Sequence, residues 1–304
     1  NLGLKKLIST SYAPESNEGG IFYQPNLFET ESPIYDVDKS RSNGRVFTLV
    51  AEDLNNDGKI NIEDLQWDYL EGDGDFRSAE VTALRDEADI VVTNPPFSLF
   101  RPFLAWLVKG DIQFSIIGNV NAITYKQVFL IIKENRIWLG PSITSGDREF
   151  RVPDTYPLTA AGQRVDENGN KFVKVKGVRW YTNIDHGRRH DPLRLMSTND
   201  NLKYNKKIAE VGYPKYDNYD AIEVCQTKAI PSDHKRIMGV PITFLDKYSP
   251  DQFEILGMAA SAGYDEKIVG IPFKGEKDGR PLINGKNTYA RIFIKHKKVE
   301  LDED

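Results

Sequence analysis

One tetrapeptide, Asn94-Pro95-Pro96-Phe97, combines residue types that can handle an aromatic amine. An Asn side-chain oxygen and a neighbouring backbone carbonyl are two hydrogen-bond acceptors. Aimed at one planar –NH2, they take both of its hydrogens. The nitrogen lone pair is then drawn out of conjugation and toward an electrophile. Phe97 offers a ring for stacking on the group that carries the amine. The two prolines fix φ and hold the acceptors in place beforehand, so no general base is required. The plain alternative is a surface turn that happens to hold two prolines.

The flanking residues say what positions this turn. Ile90, Val91 and Val92 form a β-branched run, which reads as a buried strand. The prolines end it, and Asn94 is pushed to an extended conformation by the ring that follows. From Ser98 onward, Leu99, Phe100, Phe103, Leu104 and Leu107 fall on one helix face. In an open α/β sheet such a strand–turn–helix corner lies at the carboxyl edge, where ligands bind. Phe114 to Gly118 is the next buried strand, and Asn119 and Asn121 follow it at the same edge. They either touch substrate or cap a helix from Thr124, which continues over Lys126 to Glu134. Upstream, Gly72-Asp73-Gly74-Asp75-Phe76 leads into a helix over Ala79 to Glu87, which Asp75 or Ser78 can cap.

Leu4 to Tyr12 and Arg45 to Val50 read as strands. Residues 13–44 read as loop around a short strand, Ile21-Phe22-Tyr23. Phe172 to Asn183 alternates for much of its length and suggests one antiparallel strand. Between these, Asp53, Asn55, Asp57, Asn61 and Asp64 fall at positions 1, 3, 5, 9 and 12 of an EF-hand-like calcium loop. Lys59 stands at position 7, where the backbone carbonyl is the ligand. Two readings stay open: a structural calcium site, or an Asn/Asp/Gly turn. The helix that should precede such a loop is missing.

Among the 304 residues the only cysteine is Cys225, so no disulfide can form within the chain, which fits a reducing interior. The sequence shows no membrane-length apolar run and no secretory leader, and a cytoplasmic location is expected. Net charge is −5, but it is unevenly spread. Residues 1–100 carry 8 Lys/Arg against 19 Asp/Glu, and residues 101–304 carry 32 against 26. The later part can meet phosphates. It contains a basic cluster, Arg188, Arg189, His190 and Arg194, then Lys203, Lys206 and Lys207, interleaved with Tyr204, Tyr213, Tyr216 and Tyr219. Such residues suit phosphates, base edges or the gap left by an extruded base, or else form a polar loop with half-buried tyrosines.

Asn94-Pro95-Pro96-Phe97 resembles the catalytic motif of amino-methyltransferases that use S-adenosylmethionine. Longer stretches narrow this. Gly72 to Ser78, Asp89 to Arg101, Ile117 to Lys126, Tyr213 to Asp220, Pro241 to Tyr248 and Tyr289 to Ile294 resemble adenine-specific DNA methyltransferases of the EcoRI type, in the same order. The resemblance implies a Rossmann-like α/β methyltransferase sheet with a C-terminal α+β target-recognition region. It implies S-adenosylmethionine as cofactor, double-stranded DNA as substrate and a flipped adenine as the group methylated. Asn94, Pro95, Pro96 and Phe97 would be catalytic. Asp75 would accept from the cofactor's adenine amine, Phe76 would pack its ring, and Thr10, at the end of the first strand, would lie on the cofactor side. Asn119, Asn121, Arg188, Arg189 and Arg194 would meet DNA. The family's first strand and cofactor-gripping loop lie upstream of residue 1, so the chain reads as truncated.

The expected division is a catalytic core over 1–190 and a recognition region over 191–304, because the short gap between Asp75 and Asn94 leaves no room for recognition there. A restriction endonuclease acting on the same site is an expected counterpart, without a stable complex. Competing readings are the same chemistry on RNA bases or protein glutamine, and a non-catalytic DNA-binding module.

Overall fold

The computed structural model describes residues 3–13, 27–143, 148–154, 156, 162–260, 265–274 and 279–298. The strand expected at Ile21 to Tyr23 and the acidic tail from Glu300 lie outside them. The chain divides into two compact units, Asn1–Val91 with Phe103–Ile112, and Val92–Pro102 with Gln113–Asp304.

In the first unit, β1 (Lys6–Ser11), β2 (Arg45–Val50) and β3 (Gln66–Tyr69) form an antiparallel sheet in that order. The stretch before β2, expected as loop, also carries two single-turn helices, α1 (Leu27–Thr30) and α2 (Lys39–Ser42). Glu29 and Arg45, both buried, pair at 3.1 Å and tie this stretch to β2. Helix α3 (Ala79–Glu87) starts where Ser78 caps it, the hydroxyl accepting from the Val81 N–H at 3.2 Å. From α4 (Phe100–Lys109) this unit takes Phe103 onward; Phe103, Leu104 and Leu107 are buried as the spacing predicts. Each such side chain contributes about 1.5–3 kcal/mol of burial. Phe76, Phe103 and Trp106 form an aromatic cluster with centroids 5.0–5.6 Å apart. Arg85 lies over Trp106 and donates to its carbonyl at 2.6 Å.

The second unit begins in β4 (Ile90–Thr93), which is followed in sheet order by β5 (Gln113–Asn119). After α5 (Lys126–Lys133) come β6 (Trp138–Leu139), then β7 (Arg148–Val152), β8 (Gln163–Val165) and β9 (Lys171–Val175), and β10 (Val178–Thr182). The central sheet runs β4-β5-β10-β6, with β10 antiparallel to both β5 and β6. The single strand expected over Phe172 to Asn183 is therefore two strands: β9 pairs with β7 and β8 in another sheet. A second departure concerns β4. Ile90 and Val92 are 48% and 65% exposed rather than buried, because no layer of the described residues covers that face.

Further on are α6 (Thr198–Tyr204), α7 (Lys206–Val211), β11 (Ile222–Glu223), β12 (Met238–Pro241), β13 (Phe253–Ala259) and α8 (Glu266–Val269). The hairpin β14 (Leu282–Ile283) and β15 (Lys286–Asn287) precedes β16 (Arg291–His296). The sheet β11-β12-β16-β13 packs on a core centred on Tyr216, Tyr219 and Phe293. Those two tyrosines are thus structural, and Tyr213 is tied by its hydroxyl to the Ala229 carbonyl at 2.7 Å. Tyr204 alone of the four stays mostly exposed. The chain as a whole is mixed α/β with several separate sheets.

Candidate active site

The corner after β4 is stiff on one side and open on the other. Asn94 is exposed, Pro95 is buried, and Pro96 (φ −53°, ψ 131°) opens a 3-10 turn over Phe97–Leu99. That turn closes with Leu99 N–H donating to the Pro96 carbonyl at 2.9 Å and runs into α4. Among the described residues the Asn94 side chain makes no hydrogen bond. Its carbonyl oxygen and amide are therefore unspent. Phe97 is 41% exposed, and among the described residues it forms no aromatic ring pair.

The support beneath is buried. Phe100 sits edge-on to Tyr181 of β10, centroids 5.0 Å apart. Tyr181 donates its hydroxyl to the Asn119 carbonyl at 2.8 Å, and burial raises its pKa far above that of a free phenol. Gly118 is pressed between these two rings: a Cβ there would collide with Phe100 and lie 2.9 Å from Tyr181. Asn119 caps the 3-10 turn Val120–Thr124 by accepting from the Asn121 N–H at 2.9 Å, whereas the helix expected from Thr124 begins at Lys126 with Tyr125, not an asparagine, at its N-cap. Asn121 remains exposed. Beside it, Arg101 lies 5.3 Å over the half-exposed Tyr125 ring. From sequence, Phe100 reads only as part of a helix face, and Gly118 and Tyr181 carry no local sign of their role here.

In the first unit, the end of β1 and the Gly72–Phe76 loop are brought together. Gly74 takes φ +85°, and a Cβ there would lie 2.5 Å from the Ser11 carbonyl oxygen, so only glycine allows the approach. Ala13 N–H donates to the Asp73 carbonyl at 2.7 Å. Tyr12 donates to Asp75 at 2.7 Å, and burial, then this bond, carries its hydroxyl pKa up to about 12. Thr10 is exposed two residues before. The Asp75 carboxylate also accepts from Arg77 through N, Nε and Nη2 at 2.5–2.9 Å, which holds it well below the usual carboxylate range. Phe76 is buried, with the Arg77 guanidinium 5.4 Å over its ring. Ser78, rather than Asp75, caps α3.

The three arginines expected at DNA differ. Arg188 and Arg194 are exposed, whereas Arg189 is buried, bonded to Asn135 and Asp185 and stacked 3.6 Å from Trp138. The loop from Asp53 uses its oxygens on its own backbone. Asp53 accepts from Asp57 and Gly58, Asn55 from Asp57, Asp57 from Lys59, and Asp64 from Leu54, Asn55 and Asn61. Among the described residues no three His, Cys, Asp or Glu side chains converge as metal ligands. The calcium reading of Asp53, Asn55, Asp57, Lys59 and Asp64 therefore gains no support, and these residues read as a self-bonded turn. Among the described residues no helix is long and apolar enough to cross a membrane.

Comparison with known proteins bears on the same stretches. The family model described as adenine-specific methyltransferase EcoRI matches residues 1–297. The type II methyltransferase M.EcoRI of Escherichia coli is 43% identical over 300 residues, 99% of this chain and 80% of that protein. M.MgeORF184P of Mycoplasma genitalium is 37% identical over 235 residues, covering 76% of this chain and 71% of its own. M.MpnI of Mycoplasma pneumoniae is 35% identical over 249 residues, 81% and 74% of the two chains. No solved structure matches. With a family model spanning nearly its whole length and relatives at 35–43% identity, this chain belongs to the EcoRI family of adenine-specific methyltransferases.

Proposed function

We propose that the chain is a site-specific DNA methyltransferase that transfers a methyl group from S-adenosylmethionine to the exocyclic amine of an adenine swung out of duplex DNA. The observation that carries this is the state of Asn94: exposed, unspent, and held on a proline-stiffened turn whose base, Phe100, is locked against Tyr181. The Asn94 oxygen and the Pro95 carbonyl accept the two amine hydrogens, and Phe97 stacks on the base. Because the acceptors are fixed beforehand, little reorganisation is needed as charge develops on the nitrogen. Asn121, exposed beyond the Asn119 cap, contacts the substrate in this reading.

The bound cofactor supplies an electrophilic sulfonium methyl. Asp75 and Phe76 fit its adenosine: the carboxylate is an ionised acceptor that already holds a planar N–H donor, and that donor lies over the Phe76 ring. Arg77, 61% exposed in its side chain, is free to swing aside. Thr10 stands at the strand end that meets this loop. Residues 1–190 act as the Rossmann-like catalytic core, for which the order β4, α4, β5 speaks. Residues 191–304 act as target recognition, supported by the excess of basic residues after residue 100. The enzyme works in the cytoplasm beside an endonuclease of the same specificity that forms no stable complex with it.

Incubation of the full-length protein with labelled cofactor and plasmid, RNA or protein, followed by mapping of methylated positions, tests the reading. Label at adenines of one short duplex sequence is the expected result. Label confined to RNA or to glutamine amides overturns it.

A further inference from the structure

We propose that a cleft in the second unit seats a phosphodiester group of the bound duplex and so sets the register of the enzyme on DNA. The cleft has a volume of about 380 Å³ and lies between Trp138, the turn Gly187–Arg189, residues 191–195, and Lys228 and Lys247. Two of its lining residues, His186 and Arg189, each carry a buried side-chain nitrogen without a partner among the described residues. Arg189 is 8% exposed and uses both terminal nitrogens, on Asp185 and Asn135, yet its Nε stays unmatched. His186 spends Nε2 on the Leu139 carbonyl at 3.3 Å, and its Nδ1 is buried and unmatched. With Nε2–H donating to that carbonyl, a neutral His186 presents Nδ1 as an acceptor, so the unmatched donor of the two is the Arg189 Nε–H, whose guanidinium adds positive charge beneath the cleft.

The rim carries the same sign of charge. Arg188, Arg194 and Lys228 are exposed, and neither Arg194 nor Lys228 makes an ion pair or hydrogen bond among the described residues. Of the two acids at the cleft, Asp246 is taken by the buried Arg179 at 3.0 Å, which leaves Asp191. A hollow lined by Arg188, Arg194, Lys228 and Lys247, with an aromatic wall and a buried guanidinium beneath, suits an anion with several oxygens. Arg and Lys contacts to backbone phosphate position a protein on DNA without reading bases. The assignment rests on the DNA-modifying role proposed above. It gives the basic cluster two roles, in which Arg189 lies beneath the cleft while Arg194 and Lys228 make the free charge contacts.

The test is the double variant R194A/K228A in the full-length protein, with duplex affinity measured across a salt series for a cognate and an unrelated sequence. Both affinities should fall by a similar factor, several-fold at fixed salt. The slope of log K against log salt should shrink by about 0.9 for each phosphate that the variant no longer neutralises. The substituted side chains are exposed, and an unchanged melting temperature confirms the fold. Unchanged affinity and slope overturn the proposal, as does a loss confined to the cognate sequence, which marks base reading. A triple variant, K203A/K206A/K207A, separates the two levels of the account. If it weakens binding while the cleft variant does not, the C-terminal region meets DNA elsewhere and the cleft assignment alone fails; if neither does, both fail. Inorganic phosphate that raises the wild-type but not the double-variant melting temperature, at equal duplex affinities, marks a free-anion site and also overturns the proposal.

Discussion

The Asp75 loop and the Asn94 corner are both polar, both follow a strand and both precede a helix, yet they are in opposite states. Asp75 is saturated: Tyr12 and three nitrogens of Arg77 donate to it. Asn94 makes no side-chain hydrogen bond among the described residues. The difference follows from chemistry. A carboxylate in a half-buried loop must be matched, because an unpaired charge out of water is costly. An exposed amide loses nothing by staying in water, so it can be kept ready for a substrate. A ligand at Asp75 must displace a donor, whereas a ligand at Asn94 displaces only solvent.

That contrast can be broken at either end. The largest effect is expected for Asn94→Ala, which removes an acceptor used only during transfer. Turnover should fall by about 10²–10³-fold, the range for a lost preorganised polar group, with duplex affinity little changed. Next is Gly118→Ala. The added methyl meets Phe100 and Tyr181 and should cost about 1–3 kcal/mol of stability by denaturant unfolding, because neither ring has room to move. Its transfer rate should fall as well, since the corner's footing shifts. Phe97→Ala should weaken base stacking by about 1–3 kcal/mol, seen as slower single-turnover methylation without loss of stability.

Arg77→Ala probes the saturated end. The pair is well exposed on the arginine side, so the melting temperature should barely change. Cofactor affinity, read by calorimetry, should tighten a few-fold, because the donor that competes for Asp75 is gone. Weaker binding would show that Arg77 holds the cofactor instead of standing in its place. The smallest effect concerns His190, held between Asp251 (2.7 Å) and Asp185 (3.1 Å), with its pKa raised first by Asp251. A raised folded pKa means the stabilisation is full below the ordinary histidine value, about 6.5, and fades as pH rises through the raised one. The melting-temperature gap between wild type and His190→Gln should therefore close with increasing pH.

What could be read in sequence was what lies close in sequence. The helix α4 face at Phe100, Phe103, Leu104 and Leu107, the Ser78 cap of α3 and the buried residues Phe114 and Ile116 of β5 all follow from spacing within a few residues. The partners of Asp75 and of Phe100 did not show. Tyr12 lies 63 residues from Asp75, and Tyr181 meets Phe100 only because β10 inserts between β5 and β6. The alternation through Phe172 to Asn183 concealed a change of sheet between β9 and β10, since period two is the same in both. The burial of Tyr216 and Tyr219 depends on Phe293 of β16, far along the chain from both. The unspent state of Asn94 is likewise a property of what does not fold against it.

The most direct test of the corner compares single-turnover methylation by wild type, Asn94→Asp and Asn94→Ala at matched duplex affinity. Aspartate keeps an acceptor oxygen in the same place, so its rate should fall between the other two, with alanine slowest by orders of magnitude. Wild-type transfer by Asn94→Ala would contradict the account.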